Sequence, residues 1–453
     1  MRETQNQPGA SIPTARGAAR PLPGARMALL LLLSINLFNY IDRQILSAVE
    51  PDIRRHLLLN ADPNDPHTKV KMGLLALAFM LTYMTMAPVF GILAERRSRW
   101  TLVALGVALW SLASGASGLA GTFVILLITR CLVGVGEAAY GPIAPTIISD
   151  LYPVESRGRV LSWFYLAIPI GSALGYAIGG QFAALDPALQ SWRWAFYAVV
   201  PPGLLLGWWA LRMRAPRRGA ADVVVATSRP KMKDYLQLLR NRSYVRNTIG
   251  MTAMTFAIGG VAFWTPEYLQ MHHVQPLWGI EARTAFGILT ALAGLIATLA
   301  GGIAGDRLHQ RWSGSYFIVS GLALIIAAPC FLLFLGMSFP AAWIGLFLVV
   351  FLLFFNIGPT NTILANVTHP SIRATAFAVN IFIIHALGDA ISPLIIGAIA
   401  DRSSLAVGFA LTSVFMVLGG AVWLIGARHL AADTAAATNE RGPGDSGPEV
   451  APH

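Results

Sequence analysis

The strongest constraint on this chain is a succession of long apolar runs separated by short polar loops. Twelve candidate spans follow one another, at residues 27–50, 70–94, 101–120, 122–149, 159–183, 194–213, 245–270, 283–305, 314–336, 341–366, 373–399 and 405–427. A hydrocarbon core about 30 Å thick takes roughly 20 helical residues to cross, and each run is long enough. Inside lipid every backbone polar group needs an internal partner, so runs of this length predict helices. Composition agrees: the 453 residues are 55% hydrophobic and only 12% charged, with mean hydropathy +0.60. The expected class is all-α integral membrane, with twelve transmembrane helices.

Residues 1–26 are rich in Pro, Gly and Arg and carry no apolar core, so they predict a disordered tail and not a cleavable signal. Residues 428–453 predict a second disordered tail. With an even number of spans both termini share a side, and that side holds 24 of the 33 Lys and Arg. The opposite loops hold 7, and Arg43 and Arg130 lie within spans. Basic residues stay preferentially on the cytoplasmic side, so both termini are expected there. The net charge of +11 then reflects topology, and no nucleic-acid partner is expected. Cys131 and Cys330 both fall within spans and suggest neither a disulfide nor a metal site.

The longest internal loop, residues 214–244, divides the spans into bundles at 27–213 and 245–427. This basic linker reads either as a flexible connection or, in its second part around Tyr235 to Leu239, as a short amphipathic helix on the membrane surface. Two landmarks recur across it. Gly91 to Arg96 follows span 2 and Gly302 to Arg307 follows span 8, an offset of 211; Glu155-Ser156-Arg157-Gly158 precedes span 5 and Ser371-Ile372-Arg373-Ala374 precedes span 11, an offset of 216. A six-span repeat has parallel halves, and transporters built that way hold their site between the halves near the midplane.

Ionisable residues inside the runs are the candidates for chemistry, because each costs roughly 2.5 to 3.5 kcal/mol to insert at the bilayer centre. Asp42 and Arg43 are adjacent, so they point about 100° apart and cannot satisfy each other. Asp42 is 16 residues from Arg26 and Glu137 is 13 from Asp150, depths of about 24 and about 20 Å at the helical rise. Arg130 stands two turns from Glu137 on the same face. Two pairings are open: Glu137 with Arg43, or Asp42 with Arg130. A carboxylate beside a guanidinium stays ionised and loses that preference when the pair separates, which suits proton coupling. Asp42 is the expected proton site, with Arg43 modulating it, and Glu137 either shares the proton or binds a cationic group.

The segment Gly91-Ile92-Leu93-Ala94-Glu95-Arg96-Arg97-Ser98-Arg99 resembles the signature loop of the major facilitator superfamily. Asn39-Tyr40-Ile41-Asp42-Arg43, the run Arg130 to Tyr140, Ala144-Pro145-Thr146 and Tyr165 to Ser172 are similar to the spinster family of lipid transporters within it. The resemblance implies two pseudo-symmetric six-helix bundles, alternating access and proton-linked movement of a lysophospholipid, sphingoid or similar amphiphile in a bacterial-type inner membrane. It also implies a cytoplasmic latch, in which Glu95, with Arg96 and Arg99 beside it, meets the start of span 11 at Arg373, and Asp306 meets the start of span 5 at Arg157.

Further candidates for the cavity wall are Asn39, Phe79, Tyr83, Tyr140, Phe263, Trp264, Asn356, Thr360 and Asn361. A site half polar and half apolar suits an amphiphile. His385 and Asp389 are four residues apart in span 11 and read either as a proton relay or as a packing hydrogen bond. No Gly-rich phosphate loop, HExxH or Cys/His cluster is present, so neither enzyme chemistry, a cofactor nor a metal is expected. Expected partners are the substrate, protons and membrane lipids, with the chain as a monomer. Uptake of a small organic anion gripped by Arg130 and Arg43, and a non-transporting lipid sensor or scaffold, are the rival readings.

Overall fold

Among the described residues eleven helical spans are long and apolar enough to cross a membrane: Ala25–Ala48, Thr68–Ala94, Arg99–Leu119, Trp163–Leu185, Trp192–Leu211, Arg242–Met271, Ala282–His309, Ser315–Leu335, Ala342–Asn366, Ala376–Arg402 and Leu405–Gly426. They come from a computed structural model that describes residues 21–152, 154–185, 190–214, 238–368 and 372–439. Span 4 makes the remaining crossing in two pieces, Phe123–Ala138 and Ala144–Leu151. The break falls at Gly141-Pro142, where proline has no N–H to continue the ladder, and the Tyr140 N–H turns back onto the Glu137 carbonyl at 2.9 Å.

Several helix starts follow from polar side chains that accept an orphan backbone N–H: Ser98 from Thr101, Thr122 from Ile125, Asn241 from Tyr244, Ser404 from Val407. Packing inside each half depends on small residues, as expected where lipid offers no hydrophobic drive. Gly175 of span 5 is an example, since a Cβ there would sit 2.6 Å from the Ile41 carbonyl oxygen of span 1.

The two halves meet on the side opposite the chain termini, called here the far side. A buried apolar cluster fills the C-terminal half and continues into the far-side parts of the N-terminal half through Ile45, Val49, Ile53, Met72 and Tyr176. A second cluster, around Leu31, Trp100, Trp110 and Ile147, stays within the N-terminal half. Spans 2 and 11 cross closely, since a Cβ on Gly73 would lie 2.6 Å from the Pro393 carbonyl oxygen. Nearer the termini the signature glycines stand free: a Cβ on Gly91 or Gly302 would meet nothing within 4 Å. The molecule is closed on its far side.

Two differences from the expected outline concern the ends of spans. Span 1 stops at Ala48 and continues as a short helix, Glu50–Ile53, and a wide turn, Arg54–Leu59, that lies over the far-side seam. The C-terminal tail is also helical over Leu430–Asn439. Leu430 is buried, and the Asp433 carboxylate accepts the Ser243 N–H at 2.7 Å, capping span 7. Of the expected tail at 1–26, residues 1–20 lie outside the described residues, and Ala25 and Arg26 already belong to the first helix; most of the linker, with Tyr235 to Gln237 of its proposed amphipathic part, lies outside them too, while Leu238 and Leu239 are helical.

Candidate functional site

Spans 1 and 4 bring four charges together, three of them buried. Arg43 Nε donates to Glu137 Oε2 at 2.7 Å, and Arg130 Nη1 lies 3.9 Å from Asp42 Oδ2. Both pairings left open by the sequence are therefore present at once. The reason is geometric: adjacent residues on span 1 diverge, and their two partners are two helical turns apart on span 4. Asp42 and Glu137 are each 1% exposed and Arg130 is 2% exposed, whereas the Arg43 side chain keeps 19% of its surface.

Span 3 completes the network. The Ser114 hydroxyl donates to Asp42 Oδ1, Arg130 Nη2 donates to Ser117 Oγ at 2.7 Å, and the Ser117 hydroxyl in turn donates to Thr129 Oγ1 at 2.8 Å. Among the described residues Asp42 Oδ2, Glu137 Oε1 and the Asn39 amide nitrogen are buried without a hydrogen-bond partner. Two carboxylates and two guanidiniums balance in charge, and each acid holds an oxygen in reserve.

These charges border a cavity of about 70 Å³ between the halves. Asp42, Arg43, Arg130 and Glu137 form its polar wall, and Leu46, Ala76, Val133, Phe79 and Phe263 its apolar one. The Arg43 guanidinium lies 5.1 Å from the ring centres of Tyr40, Phe79 and Tyr83. Three aromatic faces turned to one cation is a favourable arrangement, worth about 0.5 to 2 kcal/mol per contact depending on solvent exposure. It holds the one accessible cation of the network where spans 1 and 2 face the opposite half.

Comparison with known proteins gives the family and the fold. The model of the Major Facilitator Superfamily matches residues 32–393. "Protein spinster homolog 3" of Danio rerio is 34% identical over 398 residues, covering 83% of this chain and 77% of its own. The "Sphingosine-1-phosphate transporter SPNS2" of Mus musculus is 32% identical over 437 residues, covering 89% and 77%. The chain belongs to the spinster family of the major facilitator superfamily. The fold of this spinster protein matches that of a bacterial homolog of the human lysosomal transporter spinster solved in an inward-facing and occupied conformation, with TM-score 0.77, 22% identity, and coverage of 91% of this chain and 99% of that one. It is a multi-pass membrane transporter of the major facilitator fold.

Other candidates of the spinster chain fall in different places. Phe79, Tyr83 and Phe263 border or approach the void, but Tyr140 does not: it is buried among Trp110 and Phe164, and its hydroxyl donates to the Leu32 carbonyl at 2.7 Å. Trp264 is likewise fully buried, with Nε1 donating to the Pro393 carbonyl at 2.9 Å inside the C-terminal half. In span 10 Asn356 and Thr360 are buried and Asn361 half-buried, and all three donate to carbonyls of their own helix. Their donors are spent on their own helix around the break between Phe354 and Ile357, while the Asn356 side-chain oxygen stays buried without a partner among the described residues. His385 and Asp389 form a local contact at 3.0 Å in a wide helical turn.

Of the expected latch only Asp306, Arg96 and Arg99 have described side chains. Asp306 accepts from the Tyr316 hydroxyl at 2.8 Å within its own half, Arg99 pairs with Asp150 at 2.5 Å, and Arg96 is exposed. The side chains of Glu95, Arg157 and Arg373 lie outside those described.

The far-side closure is the part that sequence reasoning missed. Arg283 Nη1 bonds both Asp52 Oδ2 at 2.7 Å and the Ala48 carbonyl at 2.8 Å, Arg54 pairs with Glu267, and Asp401 accepts the N–H groups of Lys69 and Val70 at 3.0 and 2.8 Å. A signal was present: Gly397 to Arg402 repeats the Gly-x-x-x-acid-Arg pattern of Gly91 to Arg96 and Gly302 to Arg307.

Proposed function

We propose that this transporter couples proton movement to translocation of an anionic or zwitterionic amphiphile, a lysophospholipid or sphingoid compound, by alternating access. The observation that carries the reading is the position of Arg43, held by Glu137 on one side and by three aromatic rings on the other, at the edge of a half-apolar void. A phosphate or carboxylate head group that approached Arg43 would compete with Glu137 for the same guanidinium. Glu137, once released, would be a buried carboxylate without a counter-ion and would take up a proton. Asp42 and Arg130 form a second pair that can respond in the same manner, with Ser114 and Ser117 able to hold either partner when they separate.

In this reading the far-side closure marks the conformation loaded from the termini side, taken to be the cytoplasm because 24 of 33 basic residues lie there. The name of the mouse relative, a sphingosine-1-phosphate transporter, favours a phosphorylated sphingoid lipid. The test is flux in proteoliposomes under an imposed pH gradient, comparing lysophospholipids and sphingoid phosphates with short-chain carboxylates. Gradient-driven movement of the amphiphiles supports the proposal. Movement of the carboxylates alone would replace it with organic-anion transport.

A further inference from the structure

The far-side closure contains an unbalanced carboxylate. Glu50 is 0% exposed, and neither carboxylate oxygen has a hydrogen-bond partner among the described residues. Its nearest cation is Arg54, whose Nε stands 3.5 Å from Glu50 Oε1 without bonding it. The other end of that guanidinium is committed to Glu267 of span 7. One arginine is thus shared by two buried acids from opposite halves.

The surroundings do not supply the missing cation. Arg283, at the start of span 8, is held by Asp52 at 2.7 Å and lies 3.7 Å from Glu281. Lys69, at the start of span 2, is near enough to act on Glu50 through space. His56 is the remaining titratable neighbour on this segment, with Nδ1 2.9 Å from the Asp52 carbonyl and 3.1 Å from Trp192 Nε1. Arg54, Arg283 and Lys69 therefore face Glu50, Asp52, Glu267 and Glu281, with Asp401 spent on the Lys69 and Val70 amides, and Glu50, the most buried of the acids, has no donor among the described residues. An ionised carboxylate in such a place is strongly disfavoured, while a protonated one removes the excess charge.

We propose that Glu50 is a proton-binding site of the far-side gate, occupied while the gate is closed. Separation of the halves withdraws Glu267 and admits water, so the proton leaves as the gate opens. By linkage, protons on the far side then favour closure. The closed gate is stabilised at low pH, and that stabilisation is lost as the pH rises through the titration of Glu50. The inference rests on alternating access as read above, but not on which residues couple transport.

The experiment measures the gate directly. Spin labels are placed at Asn64→Cys on the N-terminal half and Gln275→Cys on the C-terminal half, both exposed on the far side, in full-length protein carrying Cys131→Ser and Cys330→Ser in liposomes. Pulsed electron resonance then gives the ratio of long to short separations from about pH 5 to about pH 8, in which one titrating group changes that ratio by at most about tenfold per pH unit. The expected result is a growing long-distance population in the parent and a short distance at every pH in Glu50→Gln. Glu267→Gln, which frees Arg54 for Glu50, moves the midpoint to lower pH. A parent that does not respond to pH, a Glu50→Gln variant that titrates like the parent, or an unmoved midpoint in Glu267→Gln overturns the proposal. So does loss of the response in His56→Gln or in Asp42→Asn alone. Loss of proton-driven flux in Asp42→Asn with the gate response intact leaves Glu50 in place and bears only on the transport site.

Discussion

The two halves are repeats of one six-span plan, yet they divide the work unequally. Spans 1, 3 and 4 of the N-terminal half enclose Asp42, Arg43, Arg130 and Glu137 with Ser114 and Ser117. At the corresponding depth the C-terminal half has Phe256 stacked on Phe415 with ring centres 4.0 Å apart, and buried amides such as Asn356 that bond their own backbone. The first arrangement is adjustable because its partners can be exchanged. The second is more fixed, because the amide and hydroxyl donors of span 10 are spent on their own helix and aromatic packing surrounds them. One half therefore suits charge movement, and the other offers a stiff apolar wall for it to work against.

Four substitutions would break or sharpen that contrast. Asp42→Asn gives the largest effect: proton-gradient-driven flux falls to the protein-free background while the purified variant keeps its thermal transition, and unchanged pH dependence would remove Asp42 from the coupling. Trp264→Ala attacks the rigid half and costs about 3 to 5 kcal/mol in stability. Flux per folded molecule keeps its pH profile, and a displaced profile would mean that the C-terminal half also carries coupling. Phe263→Ala trims the apolar wall of the void. With partial loss of one aromatic contact, worth about 1 kcal/mol, KM for the amphiphile should rise about fivefold with kcat little changed; an unmoved KM would place the chain elsewhere. The smallest effect is expected from His385→Gln, whose local pair with Asp389 is partly exposed on both sides. Its pH profile should stay within about twofold of the parent, and a larger change would give the C-terminal half a relay of its own.

The fold was legible because lipid imposes a length on every crossing and because the repeat left paired landmarks. Asp42 and Glu137 stood out for a related reason: a charge within an apolar run needs an explanation. The same logic failed wherever charge is unremarkable. Asp52, Arg54, Glu267 and Arg283 sit at helix ends, where solvated residues are common, and only their assembly from three segments makes them a closure. Span 10 misled in the opposite sense. Asn356 and Thr360 look like a cavity lining, but a helix break nearby offers carbonyls that take their hydrogen bonds first. Tyr140 lies one turn beyond Glu137 but just past the start of the break in span 4, which turns it into the N-terminal core.

One contact has a practical use. His67 opens span 2 without any side-chain cap of its own, and the first turn borrows Asp401 from span 11. Whenever those two spans part, the amides of Lys69 and Val70 lose their acceptor and exchange with solvent. Their deuterium uptake is thus an intrinsic, label-free clock for how often the transporter turns to face the other compartment.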